Sequence, residues 1–314
     1  MSRKPAKPAP ASITVKQATF GLLRAFGIDK VFGNPGSTEL PFLSDWPDDI
    51  DYVLALQEAS VIGMADGYAQ ATRNAGFVNL HSAAGVGNAL GNIYTAHRNQ
   101  TPLVITAGQQ ARSILPLQAF LYAERPSEFP RPYVKYAVEP ARPEDVPAAI
   151  ARAYYVAMQP PCGPTFVSVP IDDWTHPSQP IEARSISREI GPDRGAMQAL
   201  VTALAASKNP ALVVGPGVDR ARCVELMVKV AEKAKAAIWV SPFSARCSFP
   251  ETHPQFAGFL HASPGQLSEA LRPFDLVVVI GAPVFTFHVE GHAAIFTKSM
   301  PGRSRPGTLR TCMT

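Results

Sequence analysis

Two side chains that can transfer protons, Glu58 and His81, stand at the carboxyl ends of short apolar stretches. The stretches are residues 52–56 and 77–80, and both have the composition of buried strands. Small and apolar residues without proline follow Glu58 and predict a helix over 59–72. Ligands bind at the carboxyl ends of the strands in open α/β sheets. The sequence therefore predicts that Glu58 and His81 meet at such an edge.

These residues also have ordinary structural explanations. Glu58 can simply favour the dipole of the helix that it precedes, and His81 can be a hydrogen-bonded core histidine. Ser37 follows a third predicted strand at 30–33 and a tight turn that contains proline and glycine. It can bind a ligand, or it or Thr38 can cap a short helix.

Strands and helices alternate along the first half of the chain, which predicts a parallel sheet with helices on both faces. The predicted strands are 30–33, 52–56, 77–80, 102–107 and 164–170. The predicted helices are 13–26, 59–72, 87–98 and 146–158, and a turn at Gly85–Gly87 is expected to open the third. The irregular stretch 108–132 is long enough to predict a functional loop.

A second α/β unit is predicted from about residue 194. Its expected strands are 211–215, 237–240 and 275–281, and its expected helices are 196–206 and 218–234. The turn Gly215-Pro216-Gly217 lacks the third glycine of a dinucleotide-binding loop and is weak evidence for one. The fold class is therefore α/β, with two doubly wound parallel-sheet domains.

The predicted domain boundaries follow these patterns. The sequence after residue 281 shows no further strand pattern, although the second sheet is expected to need one more strand. The expected division is a disordered tail at 1–12, a first domain at 13–173, a linker at 174–193, an incomplete central domain at 194–300 and an aberrant tail at 301–314.

Composition narrows the functional class. The 314 residues are 46% hydrophobic and 17% charged, and the net charge is +4 without a basic patch, so no nucleic-acid partner is expected. No apolar run reaches the 18 or more residues of a membrane helix, so no membrane partner is expected. The four cysteines are widely spaced and lack metal-type pairing, so reduced thiols in the cytoplasm are expected. No metal-ligand set is predicted.

Five separated blocks resemble, in the same order, the amino-terminal half of the thiamine-diphosphate-dependent 2-keto acid decarboxylases. The similarity is strongest to the benzoylformate decarboxylase branch and covers about residues 13–298. The blocks are VFGNPGSTELPFL (31–43), LALQEASVIGMADGYAQAT (54–72), NLHSAAGVGNALG (79–91), TPLVITAGQQ (101–110) and VIGAPVFTFH (279–288). The resemblance implies a pyrimidine-binding-type domain followed by a truncated central Rossmann-like domain.

The resemblance also implies an activity. It is the non-oxidative decarboxylation of a small aromatic 2-keto acid, similar to benzoylformate, to an aldehyde and CO2, with thiamine diphosphate and Mg2+ as cofactors. Glu58 matches the carboxylate that hydrogen-bonds N1′ of the cofactor's aminopyrimidine ring. Ser37 matches the hydroxyl that contacts the substrate carboxylate. His81 and His288 match two histidines that act near the substrate oxygen and the intermediate.

Further positions follow from the same match. The resemblance assigns Asn34, Pro35 and Gly36 to cofactor binding beside Glu58. It assigns Phe120 and Leu121, with Ser37, to an apolar substrate pocket suited to an aryl group. Members of the family pair through this amino-terminal domain, so a homo-oligomer is expected.

The chain also departs from the family. It contains no GDG…N segment of the kind that holds magnesium and diphosphate, so this anchor is expected to be absent and enzymatic activity of the chain as given is uncertain. Two alternatives therefore remain open. One is a carboligase of the acetolactate synthase type. The other is an inactive fragment that only folds or pairs with a full-length homologue.

Overall fold

The computed structural model describes residues 12–187, 191–283 and 287–288. The chain divides into two compact units, Met1–Arg188 and Glu189–Thr314. None of the helices in the described residues is long and apolar enough to cross a lipid bilayer. The predicted tail at 301–314 and the strand expected after Gly281 lie outside the described residues, as does almost all of the tail at 1–12.

The first unit alternates strands and helices as expected. Its strands are β1 (Ile13–Thr14), β2 (Lys30–Asn34), β3 (Asp51–Leu54), β4 (Gly76–Leu80), β5 (Leu103–Gln109), β6 (Ala137–Val138), β7 (Pro164–Pro170) and β8 (Pro177–Ser178). Its α-helices are α1 (Val15–Ala25), α2 (Leu40–Leu43), α3 (Glu58–Thr72), α4 (Ser82–Arg98) and α5 (Val146–Met158). Short 3-10 helices occupy Ser37–Glu39, Arg112–Leu117, Pro143–Asp145 and Ile171–Thr175.

A six-stranded parallel sheet in the order β3-β2-β4-β5-β7-β6 forms the core of this unit. Every residue of β4, β5 and β7 is buried, because helices cover both faces of the sheet. Phe77 packs with residues of α1 and α5, whereas the next residue, Val78, packs with α3 and α4. The predicted α/β class is confirmed. The sheet order places the carboxyl ends of β3, β2 and β4 side by side.

Two details of the first unit differ from the sequence-based prediction. The turn expected at Gly85–Gly87 does not exist, because α4 already begins at Ser82 and the N–H of Gly85 donates to the carbonyl of His81 at 2.7 Å. Part of the predicted linker is ordered: β8 pairs antiparallel with β1 beside the core.

The second unit contains a four-stranded parallel sheet in the order β11-β10-β9-β12 within its described residues. The strands are β9 (Pro210–Val214), β10 (Ala237–Val240), β11 (Phe256–Phe259) and β12 (Leu276–Ile280). The helices are α6 (Arg194–Ala206), α7 (Pro216–Arg220), α8 (Val224–Ala234) and α9 (Pro264–Leu271). The single helix expected at 218–234 is two helices, and Arg222, with φ of 56°, lies at the break.

The glycines of the Gly215–Gly217 turn have a packing role. A Cβ atom on Gly217 would lie 2.7 Å from Cα of Gly281, and one on Gly215 would lie 2.5 Å from Cβ of Ala282. The chain after β12 therefore approaches this turn at backbone contact distance. The turn does not need a nucleotide to explain its glycines.

Candidate active site

Glu58 is the first residue of α3, and Gln57 caps this helix by accepting a hydrogen bond from the N–H of Ser60 at 3.1 Å. Glu58 is buried, with 8% of the residue exposed. Each of its oxygens accepts one amide hydrogen bond: Asn34 donates to Oε1 and Asn88 to Oε2, both at 3.2 Å. No lysine, arginine or histidine of the described residues forms an ion pair with it. The carboxylate is thus oriented, and the part of the chain that the structure describes gives it no cationic partner.

The loop after β2 approaches both predicted proton-transfer residues. Asn34, at its start, contacts Glu58 as described above. The 3-10 helix that follows is capped differently from the prediction, which gave this role to Ser37 or Thr38. Gly36 occupies the cap position, and Glu39 reaches back so that its Oε2 accepts the Gly36 N–H at 2.7 Å. Ser37 remains exposed at the start of this helix.

His81 lies between β4 and α4 and contacts the same loop. Its Nδ1 is 2.9 Å from Glu39 Oε2 and 3.1 Å from Thr38 Oγ1. Thr38 in turn donates to Glu39 Oε1 at 2.5 Å. The imidazole packs directly on Gly36, because a Cβ atom there would lie 2.3 Å from Nδ1.

Two further residues, Ser82 and Tyr52, lie close to the residues described above. Ser82 has φ of 41°, which is the left-handed region, and such strain occurs preferentially at functional sites. Tyr52 of β3 places its hydroxyl 3.4 Å from Asn79 Oδ1. Burial, and next the Glu39 carboxylate, raise the pKa of Tyr52, so its hydroxyl stays neutral.

The predicted pocket residues Phe120 and Leu121 lie on the loop after β5, at the same edge of the sheet. Phe120 is 87% exposed, and Leu121 has φ of 72°. The loop is anchored by Gln109, which donates to the carbonyl of Ala123 at 2.8 Å and accepts its N–H at 3.0 Å. Gln110 also donates to the carbonyl of Phe120 at 2.5 Å. Phe120 is therefore presented outward rather than packed within this unit.

The base of this loop is fixed by a buried ion pair. Arg112 donates through Nε and Nη2 to the two carboxylate oxygens of Asp173, each at 2.7 Å, and Asp173 is fully buried. Burial raises the pKa of the Asp173 carboxyl, and the hydrogen bonds from Arg112 oppose that rise. The pair joins the segment after β5 to the segment after β7.

The structure thus brings Asn34, Glu58, Gly36 and His81 together through direct contacts at one edge of the first sheet, with Pro35 and Ser37 in the connecting loop. His288 belongs to the second unit, where its N–H donates to the carbonyl of Ala262 at 2.9 Å and its ring meets Phe243 edge-on. Among the described residues, no group of three or more His, Cys, Asp or Glu side chains is placed to hold a metal ion.

Sequence reasoning missed three residues of this site: Thr38, Glu39 and Asn88. Glu39 carries a usable signal, because a glutamate three positions after a helix-capping position is half of a capping box. Asn88 is a polar residue in a helix that is otherwise small and apolar near its start. No local pattern indicates that Thr38 contacts His81.

Comparisons with known proteins match both domains of the chain. Residues 13–124 match the family model "Thiamine pyrophosphate enzyme, N-terminal TPP binding domain", and residues 197–300 match "Thiamine pyrophosphate enzyme, central domain". The chain belongs to the thiamine pyrophosphate enzymes and carries their amino-terminal and central domains.

Within this family, the chain is more similar to benzoylformate decarboxylases than to an acetolactate synthase. The chain is 44% identical over 279 residues to benzoylformate decarboxylase of Pseudomonas aeruginosa, a match that covers 88% of this chain and 53% of the relative. It superposes on the crystal structure of benzoylformate decarboxylase from Polynucleobacter necessarius with a TM-score of 0.86 and 47% identity, over 88% of this chain and 53% of that one. The acetolactate synthase large subunit of Haemophilus influenzae is 30% identical over 82% of this chain and 47% of the relative. The chain spans about half the length of the curated relatives that it matches.

Proposed function

We propose that this chain supplies the pyrimidine side of the active site of a thiamine-diphosphate-dependent decarboxylase that converts an aromatic 2-keto acid, similar to benzoylformate, to an aldehyde and CO2. The observation that carries the proposal is the Glu58 carboxylate, held by two amides at the carboxyl edge of the sheet without a cation. Such a carboxylate fits a ring nitrogen that must be held protonated. Leu54 and Leu56 next to it are 59% and 91% exposed and offer apolar surface to a flat ring.

When bound, thiamine diphosphate supplies the electron sink for the departure of CO2. Glu58 holds a proton at N1′ of the aminopyrimidine ring, and Asn34 and Asn88 keep its two oxygens in place. Because each amide holds one oxygen of the carboxylate, removal of both amides is expected to weaken the hydrogen bond that Glu58 makes to the cofactor.

Ser37 and His81 act on the substrate in this proposal. The exposed hydroxyl of Ser37 binds the carboxylate of the keto acid, and His81 moves a proton at the substrate oxygen. Histidine suits this role because its ordinary pKa of about 6.5 lies near neutral pH. His288 of the second unit is proposed as the second histidine, on the basis of the sequence match.

The aromatic substrate is supported by two lines of argument. Phe120 and Leu121 present apolar surface from a loop that Gln109 anchors to the end of β5. The similarity is also higher to benzoylformate decarboxylases, at 44% and 47% identity, than to the acetolactate synthase, at 30%. This difference favours decarboxylation over the joining of two keto acids.

We further propose that Mg2+ and the diphosphate group are held by a part of the assembly other than the residues described here, as the resemblance to the family implies. Calorimetric titration of the 314-residue chain with thiamine diphosphate and Mg2+ tests this. Weak or absent binding is expected, and tight magnesium-dependent binding would contradict it.

Two further parts of the proposal are a homo-oligomer and a cytoplasmic location. The first unit exposes large apolar side chains on α3 and α4, among them Met64 and Tyr94, and small residues such as Gly63 and Gly91 allow close helix packing. Cys223 and Cys247 of the described residues are free thiols, which suits a reducing compartment.

The activity is tested by supplying the chain with thiamine diphosphate, Mg2+ and the carboxyl-terminal domain of a benzoylformate decarboxylase. Release of benzaldehyde from benzoylformate is expected, and release that stops with Glu58→Gln ties it to this chain. Formation of acetolactate from pyruvate instead would indicate a carboligase. No turnover of either substrate by a folded complex would indicate an inactive partner subunit.

A further inference from the structure

Glu39 is a buried carboxylate that no lysine or arginine of the described residues neutralises through an ion pair. It is 1% exposed, although Leu40 beside it is 61% exposed. Its three polar contacts are the Gly36 N–H at 2.7 Å, the Thr38 hydroxyl at 2.5 Å and His81 Nδ1 at 2.9 Å. A carboxylate anion accepts hydrogen bonds only, and all three groups are able to donate.

Counting hydrogens assigns the state of His81. Thr38 has a single hydroxyl hydrogen, and it points to Glu39 Oε1. The Thr38 oxygen, 3.1 Å from His81 Nδ1, can then only accept. With Glu39 as the carboxylate anion, both groups that face Nδ1 are therefore acceptors, and Nδ1 carries a hydrogen. Neutral His81 then has its free lone pair on Nε2.

Two glycines create the space for this arrangement. A Cβ atom on Gly36 would lie 2.3 to 2.5 Å from three atoms of the His81 ring. One on Gly108 would lie 2.0 Å from Glu39 Oε1 and 2.3 Å from Thr38 Oγ1. Neither glycine has a positive φ, so space rather than backbone conformation explains both. The fold thus leaves room for this pair of side chains on two neighbouring connections of the sheet.

We propose that Glu39 is a positioning residue that holds His81 in the Nδ1–H tautomer, so that Nε2 is the atom that exchanges a proton with the substrate oxygen. The significance of Nε2 rests on the proposed function, whereas the tautomer is a property of the chain alone. Glu39 does not reach the substrate in this account. It acts by fixing which ring nitrogen is available.

The direct test is a two-bond 1H–15N NMR spectrum of the full chain with 15N-labelled histidine, recorded at about pH 8, above the ordinary histidine pKa of about 6.5. His81→Gln identifies the His81 signals by their loss. The expected result is a hydrogen on Nδ1 and none on Nε2. A hydrogen on Nε2 alone, or the mixture seen for free histidine, would overturn the proposal without the need for any further variant.

Variants sharpen the test. In Glu39→Leu the Thr38 hydroxyl is released to donate to Nδ1, so the hydrogen should move to Nε2. Thr38→Val keeps Glu39 and should leave the tautomer unchanged. Glu232→Leu is the matched control, because the 59% exposed Glu232 side chain lies 3.3 Å from His253 and should not affect His81. An unchanged His81 in folded Glu39→Leu, or a shift in Thr38→Val, would contradict the assignment to Glu39.

The spectrum needs neither cofactor nor substrate, so its outcome is separate from the activity. An Nδ1–H tautomer in a chain that shows no decarboxylation would leave the Glu39–His81 pair intact and reject the proposed function. Decarboxylation by a chain with the Nε2–H tautomer would support the proposed function and reject the role of Glu39. In an active assembly, Glu39→Leu combined with His81→Gln should lose no more activity than His81→Gln alone, and additive losses would show that Glu39 acts elsewhere.

Discussion

Gly108→Ala probes the packing around Glu39 without replacing any charged residue. Gly108 is the sixth residue of β5, and the added methyl group would lie 2.0 Å from Glu39 Oε1 and 2.6 Å from Thr38 Cβ. Both neighbours are 1% exposed, so neither can turn into solvent. The carboxylate has to move away from β5, which separates it from Thr38 or from His81.

The expected loss of stability combines two effects. Overpacking a filled site lowers the free energy of unfolding by about 1–3 kcal/mol. Loss of a hydrogen bond to a charged group adds about 1.5–3 kcal/mol when the group stays buried. A single movement of the Glu39 side chain relieves part of the overpacking and weakens the hydrogen bond, so the two losses do not add in full. We expect Gly108→Ala to lower the free energy of unfolding by about 2–4 kcal/mol. Gly21→Ala in α1 is the matched control: no atom of the described residues lies within 4 Å of its Cβ, and alanine in a helix should gain about 0.5–1 kcal/mol.

Hydrogen exchange followed by mass spectrometry measures the loss of stability locally, at the strands around Gly108. Amides of β4 and β5 should exchange faster in Gly108→Ala, while peptides of β9 in the second unit serve as an internal reference and should not change. Urea denaturation gives the free energy. A loss below about 0.5 kcal/mol would show that Glu39 is not confined as described, because overpacking together with the lost hydrogen bond exceeds that value even after the gain of about 0.5–1 kcal/mol from replacing a strand glycine by alanine.

Three other outcomes are expected. Arg112→Leu leaves the buried Asp173 carboxylate unpaired and should lower the free energy of unfolding by about 3–5 kcal/mol in urea; a loss under about 1 kcal/mol would contradict this. Hydrogen bonds from Ser207 and two backbone N–H groups lower the pKa of Asp275, so its ionised form stabilises the folded second unit. As the pH is lowered past about 4, this stabilisation is lost and the melting temperature of the second unit should decrease. Asp275→Asn should remove this dependence, and an unchanged acid profile would refute it. Light scattering should show a dimer or larger for the chain and for a version ending at residue 187; monomers from both would reject pairing.

Buried strands and long helices were predictable because they carry strong local patterns. The continuous apolar run of β7 and the proline-bounded helix α5 coincide with their predicted ranges, Pro164–Pro170 and Val146–Met158. Placement of Glu58 and His81 at one edge followed from the same logic, since each comes after a parallel strand. The strands β1, β6 and β8 have two residues each, which is too short to show any alternation.

Other features depend on contacts that no local pattern contains. Glu39 looks like a solvent-exposed helix residue in the sequence, and it is buried only because His81 and Gly108 come from distant strands. The pattern predicts the start of α4 too late because Gly85 and Gly87 resemble turn residues, whereas both lie inside the helix, where a Cβ on either would make only ordinary van der Waals contact at 3.5 Å. Tertiary packing decided both cases.

The role of Glu58 is tested most directly by exchange of the C2 proton of thiamine diphosphate into deuterium oxide, followed by NMR on the chain assembled with a carboxyl-terminal domain that binds diphosphate. The account predicts that Glu58→Gln slows this exchange by about 10²–10⁴-fold, the usual contribution of a positioned acid or base, while circular dichroism stays unchanged. Glu144→Gln, at an exposed position, is the control and should exchange at the wild-type rate. Equal exchange rates for wild type and Glu58→Gln would contradict the account and leave Glu58 as the first residue of a helix and no more.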